Sequence, residues 1–317
     1  MRITDYKPGD EEQILQLFEK SFGKPLSEKF WKWRFLDNPV NQVMIKLMWD
    51  GDLLVGHYAA SPVKLICDGE SILTALSMTT MTHPDYAGKG IFSQLAEALY
   101  RTEAEQTQLK AVWGYPNNNS HYAFMKNLEW SNLEAVPTFS LAARNIRDIP
   151  DSNVKQVTAF SEKHVLAAQS ASKECRVKVD KSLDYLGWRY GDHPENTYEI
   201  FEYETSDQSF FVVSKVFPSF DVKGTFEVDI LELAVPNEAG IIAAFLSEIA
   251  RVYSAYDLLK INLWLPLNDP KHITLEKLGF VNTAPVTYFG IKLLDPAYSP
   301  LLENKNWDYS MGYSDIY

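Results

Sequence analysis

Cysteine is almost missing: Cys67 and Cys175 are the only two thiols in 317 residues. Two cysteines so far apart offer neither a disulfide framework nor the paired spacing of a zinc site, so a small stapled fold is excluded and no metal is expected. Neither has a histidine beside it in sequence to lower its pKa, and each reads as a core filler. Long apolar runs are also lacking, and the opening Met1-Arg2-Ile3-Thr4-Asp5-Tyr6 has no basic-then-apolar layout. The expectation is a cytoplasmic protein without membrane insertion. Positive charge is in deficit, with 30 Lys and Arg against 42 Asp and Glu, for a formal charge of −12. Such a field repels nucleic-acid phosphates and anionic lipid, while it favours cationic small molecules such as amines. What is present is core material: 46% hydrophobic and 23% charged residues over a length that exceeds what one core usually serves.

The local patterns alternate between strand and helix. Arg2 to Tyr6 reads as a strand, and Asp10 with Gln13 imitates a capping box for a helix through Ile14, Leu17 and Phe18. Val43 to Trp49, Leu53 to Ala60, Val63 to Cys67 and Ser71 to Thr82 read as antiparallel strands separated at Asp50-Gly51-Asp52 and Asp68-Gly69-Glu70. A loop, His83 to Gly90, leads to a helix with Ile91, Leu95, Ala98 and Leu99 on one face. Ala111 to Tyr115 is a strand, Pro116 to Ser120 a loop, Tyr122 to Leu128 a short helix and Thr138 to Ala143 a closing strand. The fold class is α/β with a mixed sheet.

An internal repeat organises the rest. Trp33-Arg34-Phe35-Leu36-Asp37-Asn38-Pro39 matches Trp188-Arg189-Tyr190-Gly191-Asp192-His193-Pro194, and Leu128-Glu129-Trp130 corresponds to Leu278-Gly279-Phe280. A strand and helix precede both copies of the first motif, and strands followed by a helix come after the second. The reading is two copies of one domain, 1–150 and 151–317, each a central mixed sheet flanked by helices. A single large domain with one coincidental motif is the alternative. Since Trp33-Arg34 and Trp188-Arg189 occur in both copies, they read as structural rather than ligand-binding.

A glycine-bearing turn between strand and helix can bring consecutive N–H groups to a phosphate, with the helix N-terminus adding favourable potential. Asp85 to Ser93 has that layout, and Lys89 adds a positive charge; an ordinary turn is the competing reading. Thr82-His83-Pro84-Asp85-Tyr86-Ala87-Gly88-Lys89-Gly90-Ile91-Phe92 resembles the acyl-CoA loop of the GNAT N-acetyltransferase superfamily, whose fingerprint is R/Q-x-x-G-x-G/A. Gly90 matches, whereas Ala87 and Phe92 depart from it. Asn118 to Trp130 is similar to the family segment ending in L-G-[FW], with Glu129 in place of the glycine. The resemblance covers roughly the first half of the chain. It implies acetyl-CoA as acyl donor, held by Met81, Thr82, Ala87, Gly88, Lys89, Gly90, Ile91, Phe92, Ser93 and Asn118, with pantetheine between parted strands at Ser77 to Thr82 and Ala111 to Tyr115. In the second half Pro236-Asn237-Glu238-Ala239-Gly240 keeps one glycine and no lysine, and Glu238 repels phosphate, so that copy reads as degenerate.

Acetyl transfer to an amine needs a deprotonated nucleophile, oxyanion stabilisation and a proton for the leaving thiolate. A backbone N–H near Met81 or Thr82 suits the oxyanion. The tyrosine that many family members place five residues before the last aromatic of the corner is Met125 here, and Tyr122 is the candidate acid, against a packed-aromatic alternative. His83 reads as ordering its turn and His121 as a solvated residue at a helix start. Asn118 and Ser120 either bond the ligand or cap the helix. The aromatic tail, Trp307 to Tyr317, is read as a cover for the site. The expected function is N-acetyl transfer to a small amine, amino sugars among the candidates, by direct attack. A silent acyl-CoA or metabolite sensor, and an acyltransferase using longer or aminoacyl donors, are the alternatives.

Overall fold

The computed structural model of the chain describes residues 1–118 and 120–315, the side chains of Pro285 and Val286 excepted. Asn119 of the expected loop, and Ile316 and Tyr317 of the aromatic tail, therefore lie outside the described residues. In the first half the elements run β1 (Arg2–Asp5), α1 (Glu11–Phe22), α2 (Glu28–Phe35), β2 (Met44–Asp50), β3 (Leu53–Cys67), β4 (Glu70–Thr82), α3 (Ile91–Gln106), β5 (Ala111–Gly114), α4 (His121–Asn127) and β6 (Ser131–Ala142). The second half follows with β7 (Val154–Val157), α5 (Glu162–Ala171), β8 (Val177–Val179), α6 (Leu183–Leu186), β9 (Glu199–Glu204), β10 (Ser209–Pro218), β11 (Phe226–Ala234), α7 (Ala239–Val252), β12 (Leu258–Leu263), α8 (Lys271–Leu278) and β13 (Val281–Leu293). The order of the first half recurs.

Two compact units result, but no single cut near residue 150 separates them: one is Met1–Glu134 with Tyr288–Glu303, the other Ala135–Thr287 with Asn304–Tyr317. The departure from the expected 1–150 and 151–317 comes from strand pairing. In the first unit β1, β2, β3, β4 and β5 lie side by side, and the outer neighbour of β5 is the end of β13, Gly290 to Leu293 against Gly114 to Ala111. In the second, β7, β9, β10, β11 and β12 repeat that arrangement and β6 completes it, with Phe139 to Ala142 against Leu263 to Lys260. Each sheet thus receives the last strand of the other half of the chain. Within both sheets the pairs are antiparallel except β4 with β5 and β11 with β12.

The first unit's sheet buries both faces, as strand alternation requires. Along β2, Met44 and Met48 join Val55, Ile91, Leu95, Leu99 and Phe124 in the core beneath α3. Ile45 and Leu47 point the other way, to Ile14, Leu17, Trp31 and Phe35 of α1 and α2. The helix α2 was not marked by periodicity, because Trp31, Trp33, Arg34 and Phe35 are all buried and leave no polar stripe to read. The two strands expected at Leu53 to Ala60 and Val63 to Cys67 are one, continuous through Pro62. The capping role expected of Asp10 is absent: its carboxylate accepts from the Lys7 amide at 2.8 Å. The repeated Trp-Arg pairs are buried in both units; Arg34 Nε reaches Met78 Sδ at 2.9 Å, and Arg189 Nε donates to the Gly312 carbonyl at 3.1 Å. The expected cover at the tail is a set of core residues instead, since Trp307, Tyr309, Met311 and Tyr313 are buried and the Val179 amide donates to Tyr313 Oη at 3.3 Å within the second unit.

Candidate acyl-donor site

Three features meet where β4 gives way to α3. The first is a bulge. Met78 and Met81 are three apart yet both pack in the α1 and α2 core, which an uninterrupted strand of period two forbids. An extra residue restores the phase: Met81 pairs with His57 and Met78 with Ala59, leaving Thr79 and Thr80 without register partners. Thr79 has φ 52°, a left-handed backbone rare for a β-branched residue. His57 sits under it, fully buried, and the Nδ1–H donates to the Thr79 carbonyl at 2.8 Å. Burial drives the imidazole pKa down to about 4, so the ring is neutral and Nε2, without a partner, carries the lone pair.

The second feature is the end of the parallel ladder. The pairing of β4 with β5 runs from Thr74 and Ala111 to Leu76 and Trp113. Gly114 still lies close, for a Cβ there would come 3.3 Å from the Ser77 carbonyl oxygen. Beyond it β5 stops at Tyr115-Pro116, where proline has no N–H to offer, while β4 continues to Thr82. Residues 78–82 of β4 therefore lack a β5 neighbour. At the last close rung Ser77 Oγ is bonded to Tyr58 Oη at 2.8 Å, which is bonded in turn to Tyr100 Oη at 2.7 Å. Desolvation raises both phenols, Tyr58 to about 12, so this chain holds neutral hydroxyls.

The third is the loop itself. Pro84–Tyr86 forms one 3₁₀ turn capped by His83, whose Nδ1 accepts from the Asp85 amide at 3.3 Å, as the turn-ordering reading of His83 requires. Tyr86 Oη donates to Asp50 Oδ2 at 2.7 Å, and Lys89 Nζ stands 4.1 Å from the Tyr86 ring centre. Gly88 and Gly90 have φ 76° and 70°, the left-handed region that favours glycine at both. Not every amide of the expected set is available. Ala87 N–H donates to the Pro84 carbonyl at 3.2 Å and Lys89 N–H to the Tyr86 carbonyl at 3.4 Å. The amides of Gly88, Gly90, Ile91, Phe92 and Ser93 donate to no protein acceptor among the described residues; the first intrahelical bond is Gln94 to Gly90, 3.1 Å. A Cβ on Gly88 would meet nothing within 4 Å. Unpaired N–H groups at the positive end of a sixteen-residue helix are an arrangement that favours negative charge.

Phe92, the harder departure from the fingerprint, turns into the core, 5.2 Å from Phe124 and 6.0 Å from Tyr58 between ring centres. Ile91 is buried beneath the helix, and Met81 and Thr82 are paired with His57 and Gly56, which leaves the bulge at Thr79 and Thr80 as the part of β4 that departs from its partner. These two threonines escaped the sequence reading, although the phase slip between Met78 and Met81 is its trace. Tyr122 lies in the first turn of α4, two residues from Phe124 and so on another side of the helix; its ring is 69% exposed. Asn118 is exposed, and the local bonds expected of it belong to Asn117, which accepts from the Ser120 amide at 3.1 Å through Oδ1. His121 stacks on Tyr288 at 3.9 Å, and Met125 packs on the core. Glu129 takes the glycine position with φ 53°, as Gly279 does in the second unit with φ 103°. Among the described residues no metal-binding cluster exists, and no helix is long and apolar enough to cross a membrane.

Comparison with known proteins fits this geometry. Residues 2–132 match the family of acetyltransferase (GNAT) domains. The match spans β1 to the start of β6. The whole chain is similar to the GCN5-related N-acetyltransferase from Anabaena variabilis ATCC 29413, at 13% identity over 94% of this chain and 74% of that one, with a TM-score of 0.72. It is similar to the GCN5-related N-acetyltransferase from Kribbella flavida, at 17% identity, 94% and 72% coverage and a TM-score of 0.69. It is similar to Eis1 from Mycobacterium abscessus, at 12% identity, 96% and 76% coverage and a TM-score of 0.62. At such identities the likeness is one of fold. No curated protein matches in sequence. GNAT acetyltransferases use acetyl-CoA as acyl donor.

Proposed function

We propose that the chain transfers an acetyl group from acetyl-CoA to the nitrogen of a small amine by direct attack, with the first unit as the donor site. The observation that carries this reading is the run of amides at Gly88 and from Gly90 to Ser93 that have no protein acceptor, next to a stretch of β4 that β5 does not cover. When bound, acetyl-CoA supplies an activated thioester carbonyl. The chain's own part is positional: the loop amides hold the diphosphate, Lys89 adds a cation beside it, and a backbone N–H near Met81 or Thr82 meets the developing oxyanion. Tyr122, whose hydroxyl is exposed and has no hydrogen bond among the described residues, is assigned the proton donation. The acidic balance of the chain favours a cationic acceptor, and amino sugars are one such class.

A thermal shift with CoA, followed by release of free thiol from acetyl-CoA with a panel of amines, tests the reading. Binding and amine-dependent turnover are expected. A Tyr122→Phe variant should retain CoA binding and lose about 10²-fold in turnover, the scale of lost acid catalysis; an unchanged rate removes Tyr122 from the mechanism. One observation favours a second reading, a sensor that binds acyl-CoA without turnover: the family's tyrosine position holds Met125, which packs on the core. Binding without thiol release from any amine would establish that alternative.

A further inference from the structure

In the second unit, strand alternation divides the sheet into two chemically different faces. Val228, Ile230, Ile261 and Leu263 belong to the apolar core with α7. Their sequence neighbours on β11 and β12 point the opposite way, so Glu227, Asp229, Lys260 and Asn262 share one face. There they line a cavity of about 530 Å³, a volume in the range of small-molecule sites. Phe217 and Phe220, with ring centres 6.4 Å apart, and Met311 supply its apolar wall.

Most of the polar groups at this cavity are already committed. Asn262 Nδ2 donates to Glu227 Oε2 at 2.9 Å and to Asp229 Oδ1 at 3.1 Å, and its carbonyl accepts from Ser140 Oγ at 2.7 Å. Glu227 also accepts from Ser219 Oγ at 2.6 Å and lies 3.4 Å from Lys260 Nζ, which is 2.6 Å from Asp221. Asp229 is different. It is 3% exposed, its second oxygen accepts no hydrogen bond, and it forms no ion pair among the described residues. Lys215 stands opposite it on β10. Burial raises its pKa to about 7, the mark of a carboxylate short of compensating charge. A buried carboxylate with an open acceptor, beside an aromatic pair, matches an ammonium group on an apolar body.

We propose that this cavity binds a small organic ammonium, its N–H groups on Asp229 and its apolar body against Phe217 and Phe220. The site lies wholly in the second unit and does not depend on acyl transfer in the first. Isothermal titration of the full chain at about pH 8, with 2-phenylethylammonium, the neutral 2-phenylethanol and the anionic 3-phenylpropionate, tests it. The ammonium should bind about tenfold or more tightly than either analogue, and Asp229→Asn should remove that preference, since a hydrogen bond to a charged group is at stake. Phe220→Ala, at a ring 96% exposed, should leave the melting temperature unchanged and weaken the ammonium about 3- to 10-fold. The charged groups facing Asp229 are Lys215 on β10, Glu227 on its own strand, Lys260 on β12 and Asp221 in the loop before β11. Affinity should rise between about pH 6 and about pH 8 as Asp229 ionises, and the Phe220 variant and this profile decide the matter if Asp229→Asn does not fold. Equal binding of the three probes, binding of none, or ammonium affinity that is flat with pH and survives the Phe220 change overturns the proposal.

Discussion

Replacing Gly88 by aspartate, and separately by asparagine, isolates the electrostatic part of the donor loop. Gly88 has φ 76°, and a Cβ there meets nothing within 4 Å. Asp and Asn enter the left-handed region more readily than other side chains, so both variants keep the turn with similar strain and nearly equal shape. They differ by one negative charge. A carboxylate about 6 Å from a diphosphate carrying about two charges, at an effective dielectric of roughly 40 to 80, gives about 1.4 to 3 kcal/mol of repulsion. That corresponds to CoA binding on the order of 10- to 100-fold weaker for Gly88→Asp than for Gly88→Asn. Because the groups are solvent-accessible, the gap should shrink as the screening length falls from about 10 Å at 0.1 M to about 3 Å at 1 M salt. Calorimetric titration of CoA at low and high salt reads both effects. Equal affinities for the two variants at low salt would refute an anion cradle at these amides.

Two other outcomes follow from features outside the loop. The His57 pKa is about 4 in the folded chain against 6.5 unfolded, so on acidification the unfolded state takes up the proton first and stability is lost from about pH 6.5 down to 4. The loss should reach about 3 kcal/mol. Urea unfolding at both ends of that range should show His57→Asn losing less than the wild type; Asp229, whose raised pKa acts in the opposite sense, is common to both proteins. A chain cut after residue 150 should aggregate, because Ala111–Gly114 loses its outer partner, whereas the same fragment with residues 288–303 appended through a flexible linker should be soluble. A soluble, cooperatively melting 1–150 fragment would contradict the importance of the exchanged strand.

The legible part of the fold was the part written in local periodicity. The helix at Ile91 to Leu99, the hairpin turns at Gly51 and Gly69 and the glycine positions of the loop need only neighbouring residues to be seen. Three things were hidden for separate reasons. The all-round burial of Trp31, Trp33 and Phe35 erased the amphipathic signal of α2. Which closing strand pairs with β5 is a long-range choice between β6 and β13, two segments with similar patterns, and alternation carries no address. In the site, the availability of an amide depends on whether a carbonyl turns toward it, so Gly88 could not be told from Lys89 by composition. Buried polar residues such as His57 and Asp229 sit on strands where alternation marks only the face, and their missing partners are a property of assembly.

The reciprocal placement of β6 and β13 also sets a timetable for synthesis. The edge of β5 ends at Gly114, but the strand that covers it closes at Leu293. At roughly 5 to 20 residues per second of translation, that edge waits on the order of 10 to 40 s before its neighbour exists. The first half is thus the earliest made and among the last finished, and nascent chains crowded on one messenger would have both the time and the exposed backbone to pair with each other before they pair with themselves.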